Sequence, residues 1–184
     1  ERSYELSGVM VVESTIREYV AGDIAAHLIG QIGPIYAEEY EELSDKGYAM
    51  NDVIGKSGIE EAFESQLRGQ NGKRTITLNS NGEVIDATVT EPPVPGNSIM
   101  LTIDMDLQQV AQDSLEEEIL WLQANGEEGE GKEATAGAVV ALDCKTGEIL
   151  AMASYPTYNL ATYNQDYNDL LANPDNPLFN RRCT

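Results

Sequence analysis

Histidine occurs once in these 184 residues, cysteine twice, and basic residues only 11 times, and each scarcity closes off a class of function. The two cysteines, Cys144 and Cys183, have neither the number nor the spacing of a disulfide framework or a tetrahedral zinc site. His27 has no second histidine, paired cysteine or tight carboxylate cluster beside it in the sequence, so neither a metal site nor a Ser-His-Asp triad is supported. Next to Leu28 and Ile29 it reads as a packed, hydrogen-bonded side chain. No metal and no cofactor is expected. With 32 acidic residues the formal charge is -21, which repels phosphate backbones and anionic lipid headgroups, so a nucleic-acid partner is not expected. The acidity reads as a well-solvated surface. No apolar run approaches the ~20 residues of a membrane span, and no basic-then-apolar export signal opens the sequence.

What the chain does contain is enough apolar material, 41% of residues, for a genuine core. The stretch GAVVALDCKTGEILAMAS, 137 to 154, writes two strands around a Lys-Thr-Gly turn, with Cys144 placed in a strand and no polar face on either strand. Strands apolar in both directions belong at the centre of a sheet covered on both sides. Only thirty residues follow, rich in Asn, Asp, Tyr and Pro, and they read as loop and one short helix. The expectation is a fragment that begins a larger α/β-type domain, with a bare apolar edge at 137 to 154 that seeks another chain.

Along the chain, Val9 to Val12 and then Tyr19 suggest one or two strands, and Asp23 is placed to cap a helix over Ile24 to Ile29 that Gly30 stops. After a turn at Gly33-Pro34, Ala37 to Lys46 reads as an acidic surface helix with Tyr36, Tyr40 and Leu43 on one stripe. Ser57 with Glu60 spells a capping box, opening a helix that runs until Gly69. KRTITLNS, Asn81-Gly82 and EVIDATVT predict a hairpin with a two-residue type I′ turn. That register pairs Ser80 with Glu83, Leu78 with Ile85 and Ile76 with Ala87, giving one core face and one wet face. Glu91 to Gly96, with three prolines, reads as a stiff connector or domain boundary, and Ser98 to Ile103 as a strand. Asp106 with Gln109 opens a helix to about Asn125, whose stripe of Leu107, Val110, Ala111, Leu115, Ile119 and Leu122 is the natural cover for the hairpin at Gly137. The polar, Gly-rich stretch between them reads as a mobile surface loop.

Two short motifs invite an enzyme reading. Gly126 to Lys132 has the spacing of a phosphate-binding loop, but Glu133 takes the Ser/Thr position, a helix precedes it, and its three acidic residues oppose phosphate. Lys145-Thr146-Gly147 matches a triplet of penicillin-recognising serine enzymes. A glycine in a tight hairpin turn explains it as well.

Taken in order, five segments resemble the class B penicillin-binding proteins, the D,D-transpeptidases that cross-link bacterial peptidoglycan. They are Arg17-Glu18-Tyr19 with GDIAAHLIGQIG, then GKSGIEEAFESQLRGQNG, PGNSIMLTIDMDLQ, GAVVALDCKTGEILAMASYPTYN, and LFNRR. Val20 departs from the proline common in the family at that place. The resemblance implies an α+β architecture: an elongated pedestal, or dimerisation domain, over 1 to 97, followed by the opening helix and hairpin of a transpeptidase domain over 98 to 184. It also implies structural and interdomain roles for Arg17, Gly58, Glu60, Arg68 and Gly69, and a structural rather than catalytic role for the triplet at Lys145. The family's acylating serine lies in an S-x-x-K box after the segment resembling LFNRR. Here the residues three places before the five lysines are Leu43, Val53, Gln70, Gly129 and Leu142, so no catalytic residue is assigned and this chain alone is expected to be inactive. The implied parent acts on stem peptides, is acylated by β-lactams, works on the extracytoplasmic face of the bacterial membrane, and can have envelope-protein partners. A stand-alone envelope interaction module is the alternative, and a nucleotide-binding protein using Gly126 to Lys132 a weaker one.

Overall fold

The computed structural model describes residues 16–82 and 84–181, so the strands read at Val9 to Val12 lie outside the described residues. In chain order the elements are α1 (Ala26–Ile29), β1 (Ile32–Pro34), α2 (Ala37–Leu43), β2 (Val53–Gly55), α3 (Gly58–Ala62), α4 (Glu64–Leu67), β3 (Lys73–Leu78), β4 (Val84–Glu91), α5 (Met105–Asn125), β5 (Gly137–Leu142), β6 (Ile149–Tyr155) and α6 (Tyr163–Ala172). The architecture is α+β, with three two-stranded antiparallel sheets among the described residues: β1-β2, β3-β4 and β5-β6. Among the described residues two compact units do not follow chain order: one joins Glu18–Glu64 to residues 100–181, the other joins residues 16–17 to Ser65–Ile99.

In the larger unit, α5 opens two residues earlier than Asp106 suggests. Asp104 is the N-cap, its carboxylate accepting from the backbone N–H groups of Asp106 and Leu107 at 3.0 Å each. Its 21 residues, roughly 30 Å long, pack on β5 and β6 as expected of a cover. Ile119 is buried, which contributes about 1.5–3 kcal/mol. The stripe, however, is rotated: Leu107 and Val110 are exposed, and Gln108 and Gln112 take their places on the buried face.

The hairpin of β5 and β6 forms with Gly137 opposite Tyr155 and Val140 opposite Met152. Its turn is fixed by Asp143, which accepts from the N–H of Lys145 at 2.7 Å and of Thr146 at 3.3 Å, and by Gly147 at φ +78°. Cys144 therefore sits in this exposed turn rather than in a strand. The expectation of cover on both faces fails among the described residues. Along β5, half-buried residues alternate with exposed Ala138, Val140 and Leu142, because α5 covers one face only. The predicted strand Ser98 to Ile103 is not a strand. Its end instead runs beside β6, where Thr102 donates to the Ile149 carbonyl (2.7 Å) and Asp104 N–H to that of Leu150 (2.9 Å).

α1 is shorter than the predicted helix. Ala25 stands at φ +56° as its N-cap, so Asp23 does not cap it by side chain, while Gly30 ends it as expected. Gly33-Pro34 is strand β1, paired with β2 (Ile32 with Gly55, Pro34 with Val53), rather than a turn. α2 and a following 3-10 turn, Ser44–Lys46, together span the predicted surface helix. The helix read from Ser57 to Gly69 is two pieces, α3 and α4, broken at Phe63.

In the smaller unit, β3 and β4 pair with Ile76 opposite Ala87 as predicted, but Leu78 meets Val84, not Ile85. The turn is not type I′. Only Gly82 has positive φ, its N–H donates to the Asn79 carbonyl at 3.0 Å, and the extra residue shifts the register as a bulge does. No residue of either strand that the structure describes is buried, so the expected core face is open, with Ile85 66% exposed. The proline run does not act as a spacer. Val94 bridges to Gln70 by paired bonds of 2.7 and 2.9 Å, folding the run back on the end of α4.

Candidate functional site

Every chemical reading of the chain passes through its few reactive side chains, and the fold spends them on structure. His27 is 6% exposed; its Nε2 lies 2.7 Å from the Pro177 carbonyl, which only accepts, so that nitrogen carries the proton. Its ring stands edge-on to Tyr158 with centroids 4.9 Å apart. No cluster of His, Cys, Asp or Glu suited to a metal occurs among the described residues. A shallow, open crevice beside His27, Gln112 and Ser154 has about 0 Å³ of interior space for even a water-sized molecule, far below the ~300 Å³ at which small-molecule sites begin. Burial raises the Tyr155 hydroxyl, with help from Glu116 and Asp175, and burial also raises Tyr163. Neither tyrosine is poised for acid–base work near neutrality.

The candidate site is instead a backbone crossing. Segments GDIAAHLIGQIG and GKSGIEE meet at Gly30 and Gly58, both with positive φ. A Cβ on Gly30 would lie 1.9 Å from the Ser57 carbonyl oxygen, and one on Gly58 2.5 Å from that of Leu28. Gly55 is pressed equally, 2.0 Å from the Glu60 carbonyl oxygen. Only residues without side chains let two chains approach this closely. Ser57 occupies the N-cap of α3 but makes no cap bond; its hydroxyl accepts from Gln31 N–H at 3.2 Å, so the predicted capping box with Glu60 is not formed. Glu60 is buried on α3. Glu64 does the polar work the sequence suggested for neither residue, accepting from Gly55 N–H (2.8 Å) and Tyr48 hydroxyl (3.2 Å).

Of the residues singled out from sequence, Gly58 and Glu60 thus belong to this crossing. Arg68 and Gly69 belong to the smaller unit, where a Cβ on Gly69 would meet the Val94 carbonyl oxygen at 2.3 Å, and one on Gly96 that of Leu67 at 1.8 Å. Arg17 is exposed in the extended approach to Tyr19. Sequence reasoning missed Gln108 and Gln112. Gln108 grips β6 through Met152, donating to its carbonyl at 3.1 Å and accepting from its N–H at 2.7 Å. Gln112 does the same for the strap before α1, accepting from Ala25 N–H (3.3 Å) and donating to the Asp23 carbonyl (3.2 Å). The available signal was position: both lie on the inner side of a long amphipathic helix, where an amide is tolerated only if its bonds are made.

Beside the crossing, Lys56 bonds both oxygens of Glu39 and lies 4.1 Å above the Tyr36 ring. The Lys56 hydrogen bond, then that of Tyr36 N–H, holds the Glu39 carboxyl below its ordinary value of 4.5. A depressed value means the pair stabilises the fold above the unfolded-state pKa and loses that contribution as pH falls through the lower, folded value. A carbon-detected NMR titration is expected to place Glu39 below 4.5, and Lys56→Met to move it up; an unchanged midpoint in that variant would contradict the assignment.

Residues 1–101 match the family model of the Penicillin-binding Protein dimerisation domain. The chain is 32% identical over 186 residues to the peptidoglycan D,D-transpeptidase MrdA of Acinetobacter baumannii, covering 98% of this chain and 25% of that protein. Among solved structures it is similar to a chain described under the structural coordination of polymerization and crosslinking by a peptidoglycan synthase complex, with TM-score 0.73, 33% identity, and coverage of 89% of this chain and 29% of that one. It is also similar to a chain of a complex between Penicillin-Binding Protein (PBP2) and MreC from Helicobacter pylori, with TM-score 0.64, 26% identity, and coverage of 89% and 28%. The chain spans about a quarter of the length of the curated relatives it matches.

Proposed function

Because this chain belongs to the penicillin-binding protein family and carries its dimerisation domain, we propose that it is a non-catalytic part of a peptidoglycan D,D-transpeptidase. Residues 1 to 97 serve as the pedestal and 98 to 184 as the first elements of the transpeptidase body. The observation that carries this reading is that the segments behind the resemblance engage one another. The first two cross at Gly30 and Gly58, the third supplies Gln108 to grip the fourth at Met152, and His27 of the first holds Pro177, next to the last. Arg17, Gly58, Glu60, Arg68 and Gly69 shape the pedestal and its junction and touch no substrate.

In the parent, a serine attacks the penultimate D-Ala carbonyl of a stem peptide and expels the terminal D-Ala, and an amine of a neighbouring stem then displaces the serine from the acyl-enzyme, with β-lactams as mimics of the donor. It acts on the extracytoplasmic face of the membrane; no helix among the described residues is long and apolar enough to cross one. The exposed apolar side chains of β3 and β4 support a protein partner on the pedestal, and one related chain is described in a complex with MreC. Self-association through the unpaired side of β5 belongs to the same proposal.

A fluorescent penicillin is expected to leave this chain unlabelled on a denaturing gel, and to label a protein in which the same residues are followed by a Ser-x-x-Lys box. A labelled band at the mass of this chain would overturn the reading.

A further inference from the structure

Residues 19–30 enter the larger unit from its surface: Val20 and Asp23 are exposed, whereas Ala25, Ala26, His27 and Gly30 are buried. Ala26 is buried with Tyr158 and Leu160 in a cluster that Tyr19, Ile29, Tyr163, Leu170 and Leu178 surround. The strap is held on two sides. On one, Gln112 of α5 takes both the Ala25 N–H and the Asp23 carbonyl, at a residue whose φ of +56° alanine adopts only under constraint. On the other, His27 donates to Pro177, which is fully buried, and Leu160 N–H donates to the Gly22 carbonyl at 3.0 Å.

Pro177 stands in a loop, 173–181, that has its own internal frame. The Arg181 guanidinium donates to the carbonyls of Asp175 (2.6 Å), Asn176 (3.1 Å) and Phe179 (3.1 Å), and Arg181 N–H reaches the Ser154 hydroxyl at 3.4 Å. A loop braced in this way moves as a piece. Its hydrogen bond to His27 therefore fixes the placement of the whole loop rather than of one residue.

We propose that residues 19–30 act as a positioning strap for loop 173–181: Gln112 anchors the strap, and His27 is the positioning residue through which it holds the loop in place. The loop ends at the arginine after which, on the reading above, the reactive serine box follows; the inference rests on that reading only for what the loop serves. The coupling itself is a property of this chain and is measured on it.

The test is peptide-resolved hydrogen exchange on Gln112→Met, which keeps the side-chain volume and removes both bonds. The hydrogen bonds of Gln112 go to residues 23 and 25, not to the loop. Exchange is nevertheless expected to rise about tenfold in 173–181 as well as in 22–27. A rise confined to 22–27 would overturn the proposal. So would an equal rise in the loop for Ile119→Val, a core change on the same helix beneath Gly137, because that outcome means general loosening. His27→Gln, which retains an N–H donor, is expected to keep loop protection nearer the parent than His27→Leu; equal loss in the two would remove His27 from the positioning role. Penicillin labelling of the longer protein can fail without touching any of these outcomes, so failure of the functional reading and failure of the strap are separable.

Discussion

Gly30→Ala is expected to cost on the order of 4 kcal/mol or more, enough to unfold the larger unit under conditions where the parent chain is stable. Two effects add. Gly30 lies at φ +77° and ψ -170°, a region open essentially to glycine alone. Its missing side chain is also the space in which the Ser57 carbonyl sits, 1.9 Å from where a Cβ would be placed. Neither partner can yield, since the other side of the contact is backbone held by the β1-β2 pairing and by α3. Gly147→Ala supplies the comparison: its φ of +78° is similar but nothing lies within 4 Å of the new methyl, so only the conformational penalty of about 1–2 kcal/mol applies. Urea denaturation of the two variants separates conformation from contact. Equal losses would show that the crossing is looser than described.

Gln108→Leu is expected to destabilise by about 2–6 kcal/mol, although it replaces a polar residue with an apolar one of similar size in a site that is 0% exposed. The reason is that the amide accepts from the N–H of Met152 and also donates to its carbonyl. Removing it takes a hydrogen bond from each of two part-buried backbone groups, and the hydrophobic gain of leucine is smaller than that combined loss. Gln109→Leu, which gives up one exposed bond to Asp113 four residues along the same helix, is expected to change stability by less than about 0.5 kcal/mol. Thermal unfolding distinguishes them, and faster exchange of the Met152 amide should accompany the first variant alone. A Gln108→Leu protein as stable as its parent would mean that β6 does not depend on α5 for its outer edge.

The same pair of residues shows what a linear reading could and could not supply. The length and end of α5, the hairpin at Gly137 and its glycine turn, the stop at Gly30 and the packed state of His27 were all legible, because each is set by spacing, by a residue's own φ preference or by simple isolation. The rotation of the α5 stripe was not. Leu107 and Val110 outrank two glutamines on any hydropathy scale, and only the position of β6 and of the strap makes an amide the better occupant. Ser57 failed as a cap for a similar reason: a distant N–H, that of Gln31, claimed its hydroxyl. The β3-β4 hairpin was read correctly as two strands, but nothing local reveals that both of its faces remain exposed.

By itself the sequence determined the main helices, the two long hairpins, the family resemblance carried by five segments in order, and that no lysine has a serine three places before it. Tertiary structure alone decided that the glycines at 30, 55 and 58 form one crossing, and that residues 19–30 pack with residues beyond 100. The physical reason is range. Propensity, caps and turns act over a few residues, whereas a close backbone approach or a buried amide is favourable only when groups as far apart as 25 and 112, or 27 and 177, are brought within hydrogen-bond distance.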